Sequence, residues 1–244
     1  MIAPREARRS AVVFGARNLG KAVIDLLHSE GWAVAGVARS DETLKGVTAA
    51  GALALRADVT DQASVRTALE QAAAAHGRIE LVVNAASAYG GDRSGPFGGG
   101  PIADAPPDAF DAWAAAPARA AFSFLSAAGR FLLAQGGAGT LVQVTGGSSR
   151  RAAAGRGLWA AGAFGVRAIT QAAALELRQQ GIQVALLIVD AGIEPLTGTQ
   201  PGQAVDALAD PRELASAVLF LADQGARGAT HELQVTPLAE RWVP

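Results

Sequence analysis

The feature that most constrains the fold of this chain is an alternation of short apolar runs with longer segments whose apolar residues have helical spacing. The apolar runs cover residues 10–14, 32–38, 52–57, 79–84, 139–145, 183–190 and 232–236. The helical segments cover residues 19–30, 41–50, 61–76, 108–134, 158–180 and about 210–223. Strands separated by helices pair in parallel through crossover connections, which place helices on both sheet faces. We therefore predict an α/β fold with a doubly wound, seven-stranded, mainly parallel sheet.

The whole chain, residues 1–244, is predicted to form a single domain. Segment 85–107 is rich in glycine and proline, and we interpret it as a long loop within the domain rather than a linker. The pattern contains no internal repeat and no second set of core segments, so one core accounts for the entire sequence.

Composition narrows the classes of partner. Half of the residues are hydrophobic and the net charge is −1, so no charge excess would attract nucleic acid or an anionic membrane. No apolar run reaches the roughly 18 residues of a transmembrane helix. The chain has no cysteine, which excludes disulfides and sulfur-based zinc sites, and no other metal-binding pattern is visible. We predict a cytoplasmic protein that binds a small molecule and no metal.

A glycine turn joins the first predicted strand to the first predicted helix, with the sequence Gly15-Ala-Arg-Asn-Leu-Gly20. Glycines at such a place let the backbone approach a pyrophosphate, which free N–H groups and the helix N-terminus then hold. The turn is one residue shorter than dinucleotide-binding turns usually are. Asn18 stands about where a middle glycine is expected, and asparagine tolerates a left-handed backbone better than most residues. The alternative is a tight turn without a ligand.

Two more segments, Asp58-Val59 and Asn84-Ala85-Ala86-Ser87, close the third and fourth predicted strands. Together with the turn they resemble the short-chain dehydrogenase/reductase family over nearly the whole chain. The resemblance implies a Rossmann-type fold, with Asp-Val lining the adenine pocket and the Asn84 turn beside the adenosine ribose. The predicted cofactor-binding residues are Gly15, Arg17, Asn18, Leu19, Gly20, Arg39, Asp58, Val59, Asn84, Ala85, Ala86 and Ile193.

Arginines indicate which dinucleotide fits this turn. An acidic residue after the second strand would accept hydrogen bonds from a free ribose 2′-hydroxyl, whereas arginine suits a 2′-phosphate. The chain has Arg39 there and Arg17 in the glycine turn, so NADP is favoured over NAD. The alternative is that both arginines are solvated surface charges.

The resemblance also implies catalytic positions, and here the chain departs from the family. Members typically use a Tyr-x-x-x-Lys pair, a serine and an asparagine, with the tyrosine delivering a proton to the carbonyl. Those four positions hold Trp159, Ala163, Gly146 and Pro117. No lysine follows Lys45, so a shifted alignment cannot restore the pair. The remaining candidates for a proton donor are Tyr89, the only tyrosine, and Ser148.

Three functions therefore stay open for this degenerate active site. The first is an atypical NADPH-dependent oxidoreductase acting on a small carbonyl or imine. The second is a catalytically silent, nucleotide-binding sensor or partner subunit, and the third is a non-redox enzyme that reuses the pocket. The resemblance also implies a homo-oligomer, a dimer or tetramer, built on the helices before and after the fifth strand.

Overall fold

The structure, a computed structural model, describes residues 8–88, 95–198 and 204–240. Its strands are β1 (Ser10–Phe14), β2 (Ala33–Ala38), β3 (Leu53–Arg56), β4 (Leu81–Asn84), β5 (Gly139–Gly146), β6 (Ile182–Val189), β7 (Gly192–Ile193), β8 (Leu208–Ala209) and β9 (Glu232–Val235). Seven of them form one sheet in the order β3-β2-β1-β4-β5-β6-β9. Every neighbouring pair in that sheet is parallel. The predicted seven-stranded sheet is therefore confirmed.

Six α-helices connect the strands. They are α1 (Asn18–Ser29), α2 (Asp41–Ala49), α3 (Gln62–His76), α4 (Ala116–Ala134), α5 (Gly157–Leu177) and α6 (Pro211–Ala222). Three of them begin at a residue whose side chain accepts a hydrogen bond from the first turn, namely Ser40, Asp61 and Asp210. Such caps satisfy backbone donors that have no partner within the helix.

Alternation along the strands builds a core on each face of the sheet. In β1, Val13 packs with Leu27 of α1 and Leu214 of α6 on one face. The adjacent Phe14 packs on the other face with α3 and α4, and its ring lies 5.6 Å from that of Phe124. Successive side chains of a strand point to opposite faces, so this pattern confirms the doubly wound arrangement.

The predicted helical segment 108–134 contains a departure from regular geometry. Residues Asp111–Ala115 form a π-helical turn, in which the Ala116 N–H donates to the carbonyl of Asp111, before α4 begins. Pro117 lies in the first turn of α4 and has no N–H to continue a regular ladder. The apolar spacing predicted the helix, but it could not predict the change of hydrogen-bond pattern at its start.

The strand order reverses at the centre of the sheet. From β1 the chain proceeds outward to β2 and β3, and it then returns to β4 on the other side of β1. In open parallel sheets this reversal leaves a crevice at the carboxyl ends of the strands, where ligands bind. Within the described residues, no helix is long and apolar enough to cross a membrane.

Candidate functional site

A cleft of about 940 Å³ lies at the carboxyl ends of the central strands. It is lined by the turns that follow β1 to β4 and by β5, β6, α4 and α5. The predicted cofactor residues that line it are Gly15, Arg17, Asn18, Leu19, Arg39, Asp58, Val59, Asn84, Ala85, Ala86 and Ile193. The residues at the family's catalytic positions, Pro117, Gly146, Trp159 and Ala163, line the same cleft. Residues predicted separately from sequence are thus brought together in one space.

Packing explains the two glycines of the first turn. Gly15 has a φ of +81°, and a Cβ there would lie 2.4 Å from the backbone nitrogen of Ala86. A Cβ on Gly20 would lie 2.3 Å from the carbonyl oxygen of Gly15. The close approach of the β1 and β4 turns therefore requires glycine at residue 15, and the tight packing of α1 against the β1 turn requires it at residue 20. Gly20 is the one predicted cofactor residue that does not line the cleft, and it packs behind the turn against the Gly15 carbonyl oxygen.

Asn18 has a different role from the one its position suggested. It does not adopt the left-handed backbone, since Ala138 is the one non-glycine residue with positive φ among the residues described. The shortened turn instead makes Asn18 the first residue of α1. Its side-chain amide donates to the Glu194 carbonyl at 3.0 Å and accepts from the Leu196 N–H at 2.9 Å. Asn18 thereby joins the glycine turn to the segment that follows β7.

The end of the cleft near β2 and β3 is charged. The Arg39 side chain is 73% exposed and lies 3.5 Å from the Asp58 carboxylate. Burial raises the pKa of Asp58, but hydrogen bonds from the Thr60 N–H and hydroxyl, together with the charge of Arg39, outweigh burial and lower it. Asp58 therefore stays ionised, while the exposed guanidinium of Arg39 is able to turn toward an anionic ligand.

The turn after β4 is fixed by a buried amide. Asn84 is 2% exposed, its side-chain amide donates to Gln143 at 3.0 Å, and its side-chain oxygen accepts from the Ala86 N–H at 3.1 Å. The Ala85 N–H also donates to the Phe14 carbonyl at 2.9 Å. These bonds hold the β4 turn against β1 and β5.

The Trp159 ring lines the other end of the cleft, and two more aromatic rings pack against it. Trp159 of α5 lies 5.0 Å from Phe97 and 6.0 Å from Trp113, measured between ring centroids. Phe97 and Trp113 are 5.1 Å apart, so the three rings form one cluster. α5 approaches the π-helical turn closely because residue 162 is glycine, where a Cβ would lie 2.5 Å from the Trp113 carbonyl.

β5 carries a hydroxyl into the cleft that the sequence analysis missed. The strand extends to Gly146, one residue beyond the predicted end. Thr145 and Gly146 line the cleft, whereas Ser148 lies in the following 3-10 turn and is not part of the lining. The candidate hydroxyl on this wall is therefore Thr145 rather than Ser148. The other candidate, Tyr89, lies outside the described residues.

The two ends of the cleft differ in what chemistry they support. One end combines a helix N-terminus, two arginines and a turn whose backbone is open to a ligand, which suits a phosphorylated nucleotide. At the other end, no described lining residue carries a phenol, imidazole, ammonium or carboxyl group. That end shapes and desolvates a ligand but supplies no described side chain suited to donating a proton.

Comparisons with known proteins agree with this geometry. A family model for short chain dehydrogenases matches residues 9–193. A sorbitol dehydrogenase from Cereibacter sphaeroides is 28% identical over 183 residues, covering 72% of this chain and 67% of that protein.

Solved structures give the same fold. A metagenomic short-chain oxidoreductase in complex with NADP is 26% identical, with a TM-score of 0.72 over 95% of this chain and 98% of that one. An alcohol dehydrogenase from the archaeon Thermococcus sibiricus, complexed with 5-hydroxy-NADP, is 21% identical, with a TM-score of 0.77 over 97% of this chain and 100% of that one. Since the family match runs from before β1 to the end of β7, this chain belongs to the short-chain dehydrogenase family.

Proposed function

We propose that this protein binds NADP and transfers a hydride between that cofactor and a small carbonyl or imine compound, without a tyrosine as proton donor. The observation that carries the proposal is the single cleft that collects the glycine turn, Asp58, Asn84 and Ile193 along the ends of adjacent strands. Short-chain dehydrogenases bind NAD or NADP, and a cleft of about 940 Å³ has room for a dinucleotide and a small substrate.

The charges near β2 support NADP as the form bound. Arg39 follows β2 where an acidic residue would favour NAD, and Arg17 is exposed in the neighbouring turn. Ser40 and Thr43 also line the cleft at the start of α2, where the positive end of the helix favours an anion. The metagenomic relative solved with NADP is consistent with this preference.

Equilibrium titration with NADPH and NADH tests the proposal. We expect NADPH to bind about tenfold or more tightly, which corresponds to about 1.4 kcal/mol. Isothermal titration calorimetry gives both affinities without depending on turnover. Failure of both dinucleotides to bind would overturn the proposal, and tighter binding of NADH would overturn its assignment of the cofactor.

The occupants of the catalytic positions favour a second candidate function. Pro117, Gly146, Trp159 and Ala163 all line the cleft, so the space where the family's chemistry takes place is preserved without its polar groups. A nucleotide-binding sensor or partner subunit needs the cleft but not those groups. Tight NADPH binding, with no oxidation of NADPH by any ketone or imine tested, would favour this function over hydride transfer.

We also propose that the chain forms a homo-oligomer through α4 and α5. Phe122 of α4 is 53% exposed, and Phe164 and Leu175 of α5 are 43% and 65% exposed. Apolar side chains gathered on neighbouring helices are typical of an interface with another copy. Light scattering coupled to size-exclusion chromatography should give a dimer or tetramer, and a monomer at high concentration would contradict this assignment.

A further inference from the structure

The wall between α4, β5 and α5 has a chemical character that restricts the substrate. Its described lining includes Pro117, Val144, Gly146, Trp159, Ala163 and Val166. None of the described residues on this wall bears a formal charge, and Thr145 contributes an aliphatic hydroxyl, which is a very weak acid. A reaction that creates a new anion at this wall would find little to stabilise it.

Charge balance separates two classes of hydride acceptor. A ketone that accepts a hydride from NADPH becomes an alkoxide, so a neutral pair of reactants becomes an anion beside a pyridinium cation. An iminium cation that accepts the same hydride becomes a neutral amine, and the single positive charge moves to the nicotinamide. Separating charge is costly in an apolar site, whereas moving one charge over a short distance is not.

The iminium reaction also removes the need for an acid. The iminium carbon forms a new C–H bond with the hydride and its electron pair, and the π electrons of the C=N bond become the lone pair on nitrogen. The iminium is reduced, NADPH is oxidised, and no proton is transferred. The departures at Gly146, Trp159 and Ala163 therefore remove groups that this reaction does not use.

The aromatic residues of the wall suit a cation. Trp159 contributes an indole to the lining and is backed by Phe97 and Trp113 at 5.0 and 6.0 Å between ring centroids. Aromatic rings attract cations electrostatically, and tryptophan does so most strongly. Ala163, one helical turn away, stands where the resemblance places the family's lysine, so the described lining lacks that ammonium. The nearest described cation to the cluster, the Arg156 guanidinium, lies outside the lining on the Phe97 ring, 5.4 Å from its centroid.

We propose that the substrates of this cleft are flat, preformed iminium cations, an inference that rests on the proposed NADP-dependent hydride transfer. Its test compares two probes on one ring skeleton, N-methyl dihydroisoquinolinium and the corresponding tetralone. After subtraction of the reaction without protein, kcat/KM for NADPH oxidation should be at least about 100-fold higher with the iminium probe. Its rate should also be independent of pH between about 6 and 9, because hydride transfer to an iminium carbon involves no proton transfer.

Equilibrium binding provides a readout that does not depend on turnover. Calorimetry on the protein saturated with a tetrahydronicotinamide analogue of NADPH, whose ring is neutral and cannot donate a hydride, should show that the iminium probe binds more tightly than the tetralone. Ala163→Lys should weaken binding of the iminium probe by about tenfold relative to Ala163→Met, which has similar length without the charge. Thermal unfolding of both variants shows whether they remain folded.

The outcomes separate the two proposals. If NADPH does not bind, the proposed function is wrong and this inference falls with it. If NADPH binds but the tetralone is reduced or bound as well as the iminium probe, only the substrate assignment is overturned. Equal effects of Ala163→Lys and Ala163→Met on the iminium probe would likewise overturn it.

Discussion

The two ends of the cleft differ in how their residues are held and in what chemistry those residues support. At the end formed by β1 to β4, the positions that differ, such as Asn18, are held by backbone geometry and specific hydrogen bonds. At the end formed by β5 and α5, the positions that the resemblance assigns to the family's serine, tyrosine and lysine hold Gly146, Trp159 and Ala163. The contrast shows that nucleotide-binding geometry is tied to how the turns pack, whereas proton-transfer chemistry depends on side chains that can be exchanged without changing the fold.

An ionic frame, made of the ion pairs of Glu232 and Asp190, lies beside the end of the cleft formed by β5 and α5, which is the reaction end of the proposed function. Glu232 of β9 is bound by Arg167 of α5 at 2.8 and 3.0 Å, by Arg150 at 2.9 Å and by Gln171 at 2.8 Å. Asp190 contacts the loop after β5 through Arg151 at 3.1 Å. These bonds position β5 and α5 against the edge of the sheet. The geometry of the reaction end is therefore fixed, although no described residue that lines it is suited to donating a proton.

The largest effect is expected from placing the family's serine, tyrosine and lysine at the positions that the resemblance assigns to them. A triple variant carries Gly146→Ser, Trp159→Tyr and Ala163→Lys. Its tyrosine, assisted by the lysine, should raise the single-turnover rate of ketone reduction by NADPH by a factor of about 10² to 10⁴. A side chain at residue 146 has room, since the nearest heavy atom to its Cβ would be the Val189 carbonyl oxygen at 3.9 Å. Stopped-flow measurement of NADPH oxidation gives the rate.

The matched control for this variant carries Trp159→Phe with the same two other substitutions. It supplies a ring and a lysine but no phenolic proton, so its ketone rate should stay near that of the parent. Equal rates for the tyrosine and phenylalanine versions would mean that the reaction end lacks something other than its proton donor.

Sequence reasoning was most successful where local pattern and chain order decide the outcome. The seven strands were each located to within a few residues, and the glycine turn, Asp58 and Asn84 line the cleft as the resemblance implied. Apolar periodicity reports directly which residues face the core. The ends of parallel strands then have to meet at one edge of the sheet.

Contacts between distant parts of the chain were beyond that reasoning. Asn18 bonds to residues 176 and 178 positions later, and the rings of Phe97, Trp113 and Trp159 come from three separate segments. Ser148 was selected as a hydroxyl close in sequence to Gly146, but sequence order does not show which hydroxyl faces the cleft, and the structure places Thr145 there instead. The β7–β8 pair was missed since each strand has two residues.

The next largest effect should come from Gly15→Ala, which tests the cofactor end. Both Gly15 and Gly31 have a left-handed backbone, with φ of +81° and +85°, but a Cβ on Gly31 would meet nothing within 4 Å. Gly31→Ala should therefore lower the free energy of unfolding by about 1 kcal/mol, because of the backbone conformation alone. Gly15→Ala adds a steric clash with Ala86 and should lower the free energy of unfolding by about 3 kcal/mol. Thermal unfolding measures this difference.

The same pair of variants connects stability to binding. NADPH affinity should fall sharply in Gly15→Ala and stay unchanged in Gly31→Ala, because only the first displaces the turn. Similar losses of stability in the two variants would show that the close approach of the β1 and β4 turns is not what demands glycine.

A smaller effect is expected from the ionic frame of the reaction end. Glu232→Gln should lower the free energy of unfolding by about 2 kcal/mol, because charged hydrogen bonds from Arg150 and Arg167 are weakened. Burial raises the pKa of Glu232, but hydrogen bonds from Arg167 and Gln171 and the charges of both arginines outweigh burial and lower it. NADPH binding should change little, since Glu232 is not among the cleft-lining residues.

The lowered pKa fixes the sign of the pH dependence. An acid whose folded-state pKa lies below its unfolded value stabilises the protein above the unfolded value, and this stabilisation is lost as pH falls through the folded pKa. The difference in stability between the parent and Glu232→Gln should therefore be full near neutral pH and shrink below about pH 4.5. Urea unfolding at a series of pH values tests this, and a difference that grows on acidification would show that the pKa is not lowered.

The smallest effect is expected from Arg39→Gln, which tests whether this arginine distinguishes NADPH from NADH. Arg39→Gln removes a guanidinium that is 73% exposed and paired with Asp58 at 3.5 Å, so folding should be almost unaffected. The affinity for NADPH should fall about tenfold, since one contact to a 2′-phosphate is lost, while the affinity for NADH should stay the same or rise. Arg66→Gln on α3 is a suitable control, because Arg66 forms an exposed pair with Glu70 and is not a cleft-lining residue. Equal losses for NADPH and NADH in Arg39→Gln would mean that this arginine orders the turn instead of reading the phosphate, and the preference for NADP would then have to come from Arg17 or from the N-terminus of α2.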